Sequence, residues 1–265
     1  MQKIVFNAHY LMYFDIAVTD YWRALGLPFE EAMLQLGGEL YVKKASVEFH
    51  GSARFDEQLE VALKCTRIGN SSLLFSGAIF RSGELLVTCE LVYVFADPLS
   101  QTSRTVPQAL RSLILCYEAG DSVLDIKTGD WPALGPDAAR LRAAVFVHEQ
   151  GIAPELEWDE ADHSALHAVA CNALGQVIGT GRLVKFGKQR AKIGRMAVHR
   201  AVRGSGVGQQ VLAALTEAAS QRGDTEVLLH AQLSAVDFYK DQGFVACGSP
   251  FDEAGIAHIE MVKAL

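Results

Sequence analysis

The loop Arg203-Gly204-Ser205-Gly206-Val207-Gly208 stands directly before a helical pattern from Gln209 to Arg222, in which Val211, Leu212, Leu215 and Ala219 share one face. Glycines at alternate positions free the backbone to turn sharply. They leave unpaired amides at a helix start, where the helix dipole also favours negative charge. That chemistry suits a phosphate group. The spacing is not G-x-G-x-x-G, and no Gly-Lys-Ser/Thr follows, so neither a dinucleotide fingerprint nor a Walker loop is read here. From Arg182 to Arg203 the charged residues are all basic, which suits an anionic ligand. A formal net charge of −7 and a pI near 5.6 argue against nucleic acid as that ligand.

Two strands must flank this helix. One is the apolar run ending in Met196-Ala197-Val198; the other is Glu226–Ala231, with His230 near its end. Beyond the second strand come Phe238-Tyr239 and Gly243-Phe244. The order Arg-x-x-Gly-x-Gly, helix, strand, Phe-Tyr-x-x-x-Gly-Phe resembles the GNAT superfamily of acyl-CoA-dependent N-acyltransferases. Upstream, the segment Arg142–Gly151, Glu157-Trp158-Asp159 and His167 are similar to its ElaA-like branch. The resemblance spans about residues 122–265. It implies that amides from Arg203 to Gly208 hold the pyrophosphate of coenzyme A, with Phe238 alongside. It further implies that Met196, Ala197 and Val198 pair their backbone with the pantetheine arm, and that Tyr239 protonates the departing thiolate. Acetyl-CoA is then the expected co-substrate, and no metal is expected.

Transfer from a thioester to an amine needs a neutral nucleophile, and a lysine-like amine with pKa ~10.4 lies roughly 3.4 units from neutrality at pH 7. A carboxylate or histidine must therefore take a proton. Glu149, Glu157, Asp159, His167 and His230 are the candidates, with Glu149 and His230 placed first. The acidic run Glu155–Asp162 either draws a cationic acceptor or simply faces water. The five cysteines form no C-x-x-C pair, so neither a disulfide framework nor a zinc site is indicated; Cys171 and Cys247 read as small apolar residues.

The first hundred residues read as a separate module. Tyr10, Leu11, Phe14, Ala17, Val18, Tyr21, Trp22 and Leu25 recur at helical spacing through Ala8–Leu25, which Gly26 and Pro28 stop. Strand-like runs follow near 40–49, 58–68, 71–81 and 84–95. Ile4-Val-Phe-Asn7-Ala-His9-Tyr10 and Ala53-Arg54-Phe55-Asp56 resemble the hot-dog-fold acyl-CoA thioesterases of the 4-hydroxybenzoyl-CoA thioesterase type. In that family an aspartate ahead of the helix acts on water or on the thioester carbon. Aligned on Ile4-Val5, it would fall one residue before Met1, and the first strand would be missing with it. Asn7, His9 and Tyr10 remain as the remnant site, Asn7 reading best as a helix N-cap. Hydrolysis is not expected of the chain as given. Either a later start has removed these elements, or the module persists for assembly.

The expected architecture is α+β: a truncated hot-dog domain over residues 1–108, a linker and short helix over 109–121, and a GNAT domain over 122–265 with a mixed, mostly antiparallel sheet. The expected activity is transfer of an acetyl group to a small-molecule or peptidyl primary amine. Two rivals stay open: a thioesterase with an accessory GNAT half, and a non-catalytic CoA-binding assembly protein. The resemblance implies a homodimer or higher homo-oligomer through the hot-dog module. No signal peptide and no membrane-length apolar run is read, so the cytoplasm is the expected location, without membrane or nucleic-acid partners.

Overall fold

The computed structural model describes residues 3–265, which fall into two compact units, Met1–Val123 and Leu124–Leu265. In the first, α1 (Asn7–Ala24) buries Tyr10, Phe14, Val18, Tyr21 and Trp22 along one side, as their spacing dictates, whereas Leu11, one position on from Tyr10, is turned off that face and exposed. Pro28 does not end helical structure. It precedes a second short helix, α2 (Phe29–Leu36), with Glu30 and Glu31 in its first turn and a left-handed Gly37 at its end.

Four strands follow: β1 (Glu39–Phe49), β2 (Glu60–Ile68), β3 (Ser72–Arg81) and β4 (Glu84–Ala96). They pair antiparallel in the order β1-β4-β3-β2. Burial alternates along β3, where Leu73, Phe75 and Ile79 are sealed. At Gly77 on the same strand, a Cβ would lie 2.6 Å from the Phe14 ring, so only glycine lets α1 settle on the sheet. A long helix cradled by an antiparallel sheet is the hot-dog arrangement.

Helix α3 (Gln108–Glu118) belongs to this unit and is no free connection. Arg111 donates to the carbonyls of Ile68 and Gly69, and Glu118 accepts from the Cys65 amide at 2.6 Å. The N-cap of α1 is Phe6, not Asn7, and no side chain caps it.

The second unit opens with β5 (Leu124–Gly129) and α4 (Trp131–Arg142), whose end runs on into a π-helical turn, Ala143–Glu149. Two single-turn helices come next, α5 (Pro154–Glu157) and α6 (Ala161–Ser164). The remaining elements are β6 (Leu166–Asn172), β7 (Val177–Lys185), β8 (Arg190–Val198), α7 (Val207–Gln221), β9 (Glu226–Gln232), α8 (Val236–Asp241), β10 (Val245–Glu253) and β11 (Ile256–Ala264). Their sheet has the order β10-β11-β9-β8-β7-β6-β5, antiparallel throughout except between β8 and β9.

Two irregularities of this mixed sheet create a site. The parallel pairing of β8 with β9 runs from Arg190↔Glu226 to Ile193↔Leu229 and stops there. On its other side β8 carries one residue more than β7 between the pairs Arg182↔Gly194 and Thr180↔Ala197. This bulge contains Arg195, held at φ 53, a conformation that non-glycine residues seldom adopt. From Gly194 onward, β8 is thus bent and keeps an unpaired edge towards β9.

Candidate functional site

A cleft of about 490 Å³ opens where β8 and β9 part. Phe146 and Gln150 form one wall, Lys192 to Met196 the floor, and His230, Tyr239 and Glu253 the far side. Close by, Gly204 and Gly206 adopt φ of 85° and 86° ahead of α7. Gly206 is the N-cap of α7, without a side-chain cap. The first amides of α7, from Val207, Gly208 and Gln209, are therefore left without acceptors inside the helix. Open space lies where a Cβ of Gly204 or Gly206 would point, so conformation rather than crowding requires glycine there. Val198 and Phe238 flank Gly208. The Ser205 hydroxyl donates to Val202 O at 2.7 Å.

The free edge of β8 comprises Met196, Ala197 and Val198. Met196 faces the cleft, whereas Ala197 packs against Leu141, Val145 and Phe146. Tyr239 is 8% exposed, between the rings of Phe238 and Phe244. Burial pushes its pKa up to about 12, so the phenol stays protonated near neutrality. Its hydroxyl has no protein hydrogen-bond partner among the described residues and lies at the cleft.

His230, on β9, donates from its Nδ1 to Oε2 of Glu253 at 2.7 Å, and the Phe251 ring meets it edge-on at 4.9 Å. Partial burial would raise the Glu253 carboxyl, but the hydrogen bond and charge of His230 prevail and hold it below the usual range. Lys192 Nζ lies 3.3 Å from the same imidazole. Burial lowers the pKa of Lys192.

Glu149 is elsewhere. It lies outside the cleft wall and binds Arg203 through both carboxylate oxygens, and that hydrogen bonding holds its pKa low. A low-pKa carboxylate already engaged by a guanidinium is a poor proton acceptor. His167 is also removed from the cleft: it is buried, bonded to Asp162 O at 2.9 Å, and its pKa is pushed down by burial.

The acidic run is divided: Glu155 and Glu160 are exposed, Asp159 is exposed at the cleft, and Glu157 and Asp162 are buried. Its central members are locked by arginines. Arg142, 1% exposed, donates to Oε1 and the carbonyl of Glu157 and to both Asp162 oxygens. Arg182 binds Asp159 at 2.6 Å and Asp162 at 2.8 Å, and Arg195 binds Asp159 and the Glu157 carbonyl. Arg182, Arg195 and Arg203, which the sequence marks as part of a basic field, are thus engaged by protein groups. The Arg195 contacts also brace the bulge on which that residue sits. Only the non-local fold brings these partners together, and nothing in the local sequence pairs Arg142 with Asp162 or His230 with Glu253.

In the first unit Asn7 and His9 are exposed, and His9 meets Phe6 edge-on. Tyr10 is buried, its hydroxyl accepting from the Ala53 amide at 2.8 Å. A groove of about 610 Å³ runs beside α1, lined by Tyr13, Ile16, Tyr21, Val61 and Leu63 among others. It does not include the three remnant residues. Among the described residues there is no helix long and apolar enough to cross a membrane, and no group of three or more His, Cys, Asp and Glu placed to hold a metal ion.

Comparison with known proteins agrees with this division. The sequence model of the Acetyltransferase (GNAT) domain matches residues 135–265, and that of the Thioesterase superfamily matches residues 2–88. The uncharacterized N-acetyltransferase YjcF of Bacillus subtilis is 36% identical over 128 residues, which are 48% of this chain and 90% of YjcF. The crystal structure of a Lactobacillus plantarum protein proposed to be an N-acetyltransferase superposes with a TM-score of 0.51 at 35% identity, covering 54% of this chain and 99% of that one. The acyl-CoA thioester hydrolase YbgC of Escherichia coli is 28% identical over 108 residues, 40% of this chain and 80% of YbgC. With a thioesterase-superfamily domain ahead of its split-sheet unit, this chain belongs to the acetyltransferase (GNAT) family.

Proposed function

We propose that the second unit transfers an acyl group, in the simplest case acetyl, from a coenzyme A thioester to a primary amine by direct attack. The observation that carries this reading is the parting of β8 and β9, which sets an unpaired strand edge between the amides of α7 and the Tyr239 hydroxyl. The loop from Arg203 to Gly208 receives the pyrophosphate. The edge Met196–Val198 pairs with the amides of the pantetheine arm, as an added strand would.

The chemistry then follows from the cleft residues. The neutral amine nitrogen attacks the thioester carbon, forming the C–N bond, and a backbone amide of the bent β8 stabilises the oxyanion. His230, oriented by Glu253, takes the proton that the amine loses. As the C–S bond breaks, Tyr239 gives its proton to the sulfur, and solvent returns one from His230 to Tyr239. No acyl-enzyme forms.

The first unit, through α3, serves as an assembly module in this reading and joins copies of the chain into a dimer or higher oligomer. Five free cysteines suit a reducing compartment, in keeping with the cytoplasm. The test is to incubate the full-length protein with acetyl-CoA, with and without a panel of amines, and to follow free thiol. Amine-dependent release is expected. Release that ignores the amine points to hydrolysis by the first unit, and tight binding without release points to a non-catalytic protein.

A further inference from the structure

Among the described residues, one lysine or arginine of the cleft has no carboxylate within ion-pair distance. Arg182 and Arg195, which line it, and Arg142 behind them are each bonded to Glu157, Asp159 or Asp162. Lys192 differs. Its Nζ lies 3.3 Å from Nδ1 and 3.4 Å from Nε2 of His230, and among the described residues no carboxylate oxygen stands within 4.0 Å of it. A half-buried ammonium without a counter-ion is costly to keep charged. Burial lowers its pKa, and the charges of Arg195 and Arg182 push the same way, while Glu253 and Glu260 act on it from farther off.

The groups around Lys192 have a second property. His230 is bonded to Glu253, and Glu260 Oε2 lies 3.9 Å from its Nε2. Beside the unanswered cation, therefore, stands a proton acceptor backed by two carboxylates. The subsite offers opposite charges a few ångströms apart. A zwitterion matches it, whereas a simple alkylamine or a polyamine would leave Lys192 unanswered and add a positive charge beside it.

We propose that the acceptor is an amine carrying its own carboxylate, in the manner of a free amino acid, and that Lys192 receives the carboxylate while the amine faces the His230–Glu253 pair. This assignment rests on the transfer reaction proposed for the same cleft. It makes Lys192 a specificity-determining residue: an acceptor whose carboxylate is absent or masked as an amide loses the charge-assisted hydrogen bond and leaves the ammonium desolvated.

The experiment compares matched acceptors on the full-length protein with acetyl-CoA: amino acids, the corresponding carboxamides, and the decarboxylated amines, each followed by free-thiol release. The carboxylate form is expected to be preferred in kcat/KM by roughly 10- to 100-fold, the range of a hydrogen bond to a charged group. K192Q should bring that ratio towards unity, while K192R should retain a preference; calorimetry with coenzyme A verifies that each variant keeps its folded second unit. Equal use of the carboxylate and amide forms by the wild-type protein would overturn the assignment and leave the transfer reaction standing. So would a ratio that K192Q leaves unchanged. Were no amine to release thiol from bound acetyl-CoA, the transfer reading would fall and this assignment with it.

Discussion

Arg203 and Glu149, 54 positions apart, meet side by side, Nη1 on Oε1 at 2.6 Å and Nη2 on Oε2 at 2.8 Å. The pair ties the π-helical turn after α4 to the glycine loop that precedes α7. Arg203 Nε also donates to Val198 O at 3.0 Å, so one side chain links the loop, the free strand edge and the turn. Both members are partly exposed. The contact therefore organises the loop more than it stabilises the fold.

It follows that E149Q should change stability little, by ~1 kcal/mol or less for an exposed pair. With Arg203 released towards the phosphates, KM for acetyl-CoA should shift severalfold while kcat stays near the wild-type value. Steady-state kinetics separate the two parameters. A fall in kcat of about 100-fold or more would reinstate Glu149 as the general base.

Tyr239→Phe should lower kcat by roughly 100- to 10,000-fold, the usual contribution of a positioned acid. Affinity for coenzyme A, measured by calorimetry, should be nearly unchanged. The raised pKa has a further consequence. An unfolded tyrosine releases its proton near pH ~10, whereas the folded one holds it to about 12. The stability this confers is complete below pH ~10 and is lost as pH rises through the folded value, because the unfolded state then binds fewer protons. Urea titrations from pH 9 to pH 12 should show this decline, and Y239F should make it shallower without abolishing it, because burial also raises Tyr21 and Tyr93.

Gly206→Glu should abolish coenzyme A binding while leaving the protein folded. A side chain at φ 86 costs about 1–2 kcal/mol in backbone strain, and the new carboxylate would repel phosphate from the adjoining amides. Loss of calorimetric heat together with a retained unfolding transition is the expected result. Undiminished binding would remove the loop from the phosphate site.

Arg142→Met tests the buried ion network. Removing the guanidinium takes from Glu157 and Asp162 their most buried partner and leaves them only Arg195 and Arg182; breaking a buried pair typically costs roughly 3–5 kcal/mol. Denaturant unfolding should reveal that loss. Because Arg195 and Arg182 share the same carboxylates, the bulge in β8 should loosen as well, and KM for acetyl-CoA should rise.

The amino-acid sequence by itself determined the elements whose signals are local. Aromatic residues at helical spacing specified α1, strand-like runs marked the strands of the first sheet, and glycines 204 and 206 marked the start of α7. The order of those motifs was enough for both family assignments. It was less informative elsewhere: Gly26 and Pro28 concealed α2, and the acidic run gave no sign of the arginines that Glu157, Asp159 and Asp162 bind.

Tertiary structure alone decided which charges neutralise one another. Arg142 with Asp162, Arg203 with Glu149 and His230 with Glu253 are joined by sheet register, bulge and crossover, none of which composition or spacing encodes. An ion pair in the interior depends on desolvation and angstrom-scale placement. For that reason Lys192, one basic residue among many in the chain, becomes distinctive only once the fold has given each neighbouring arginine its partner.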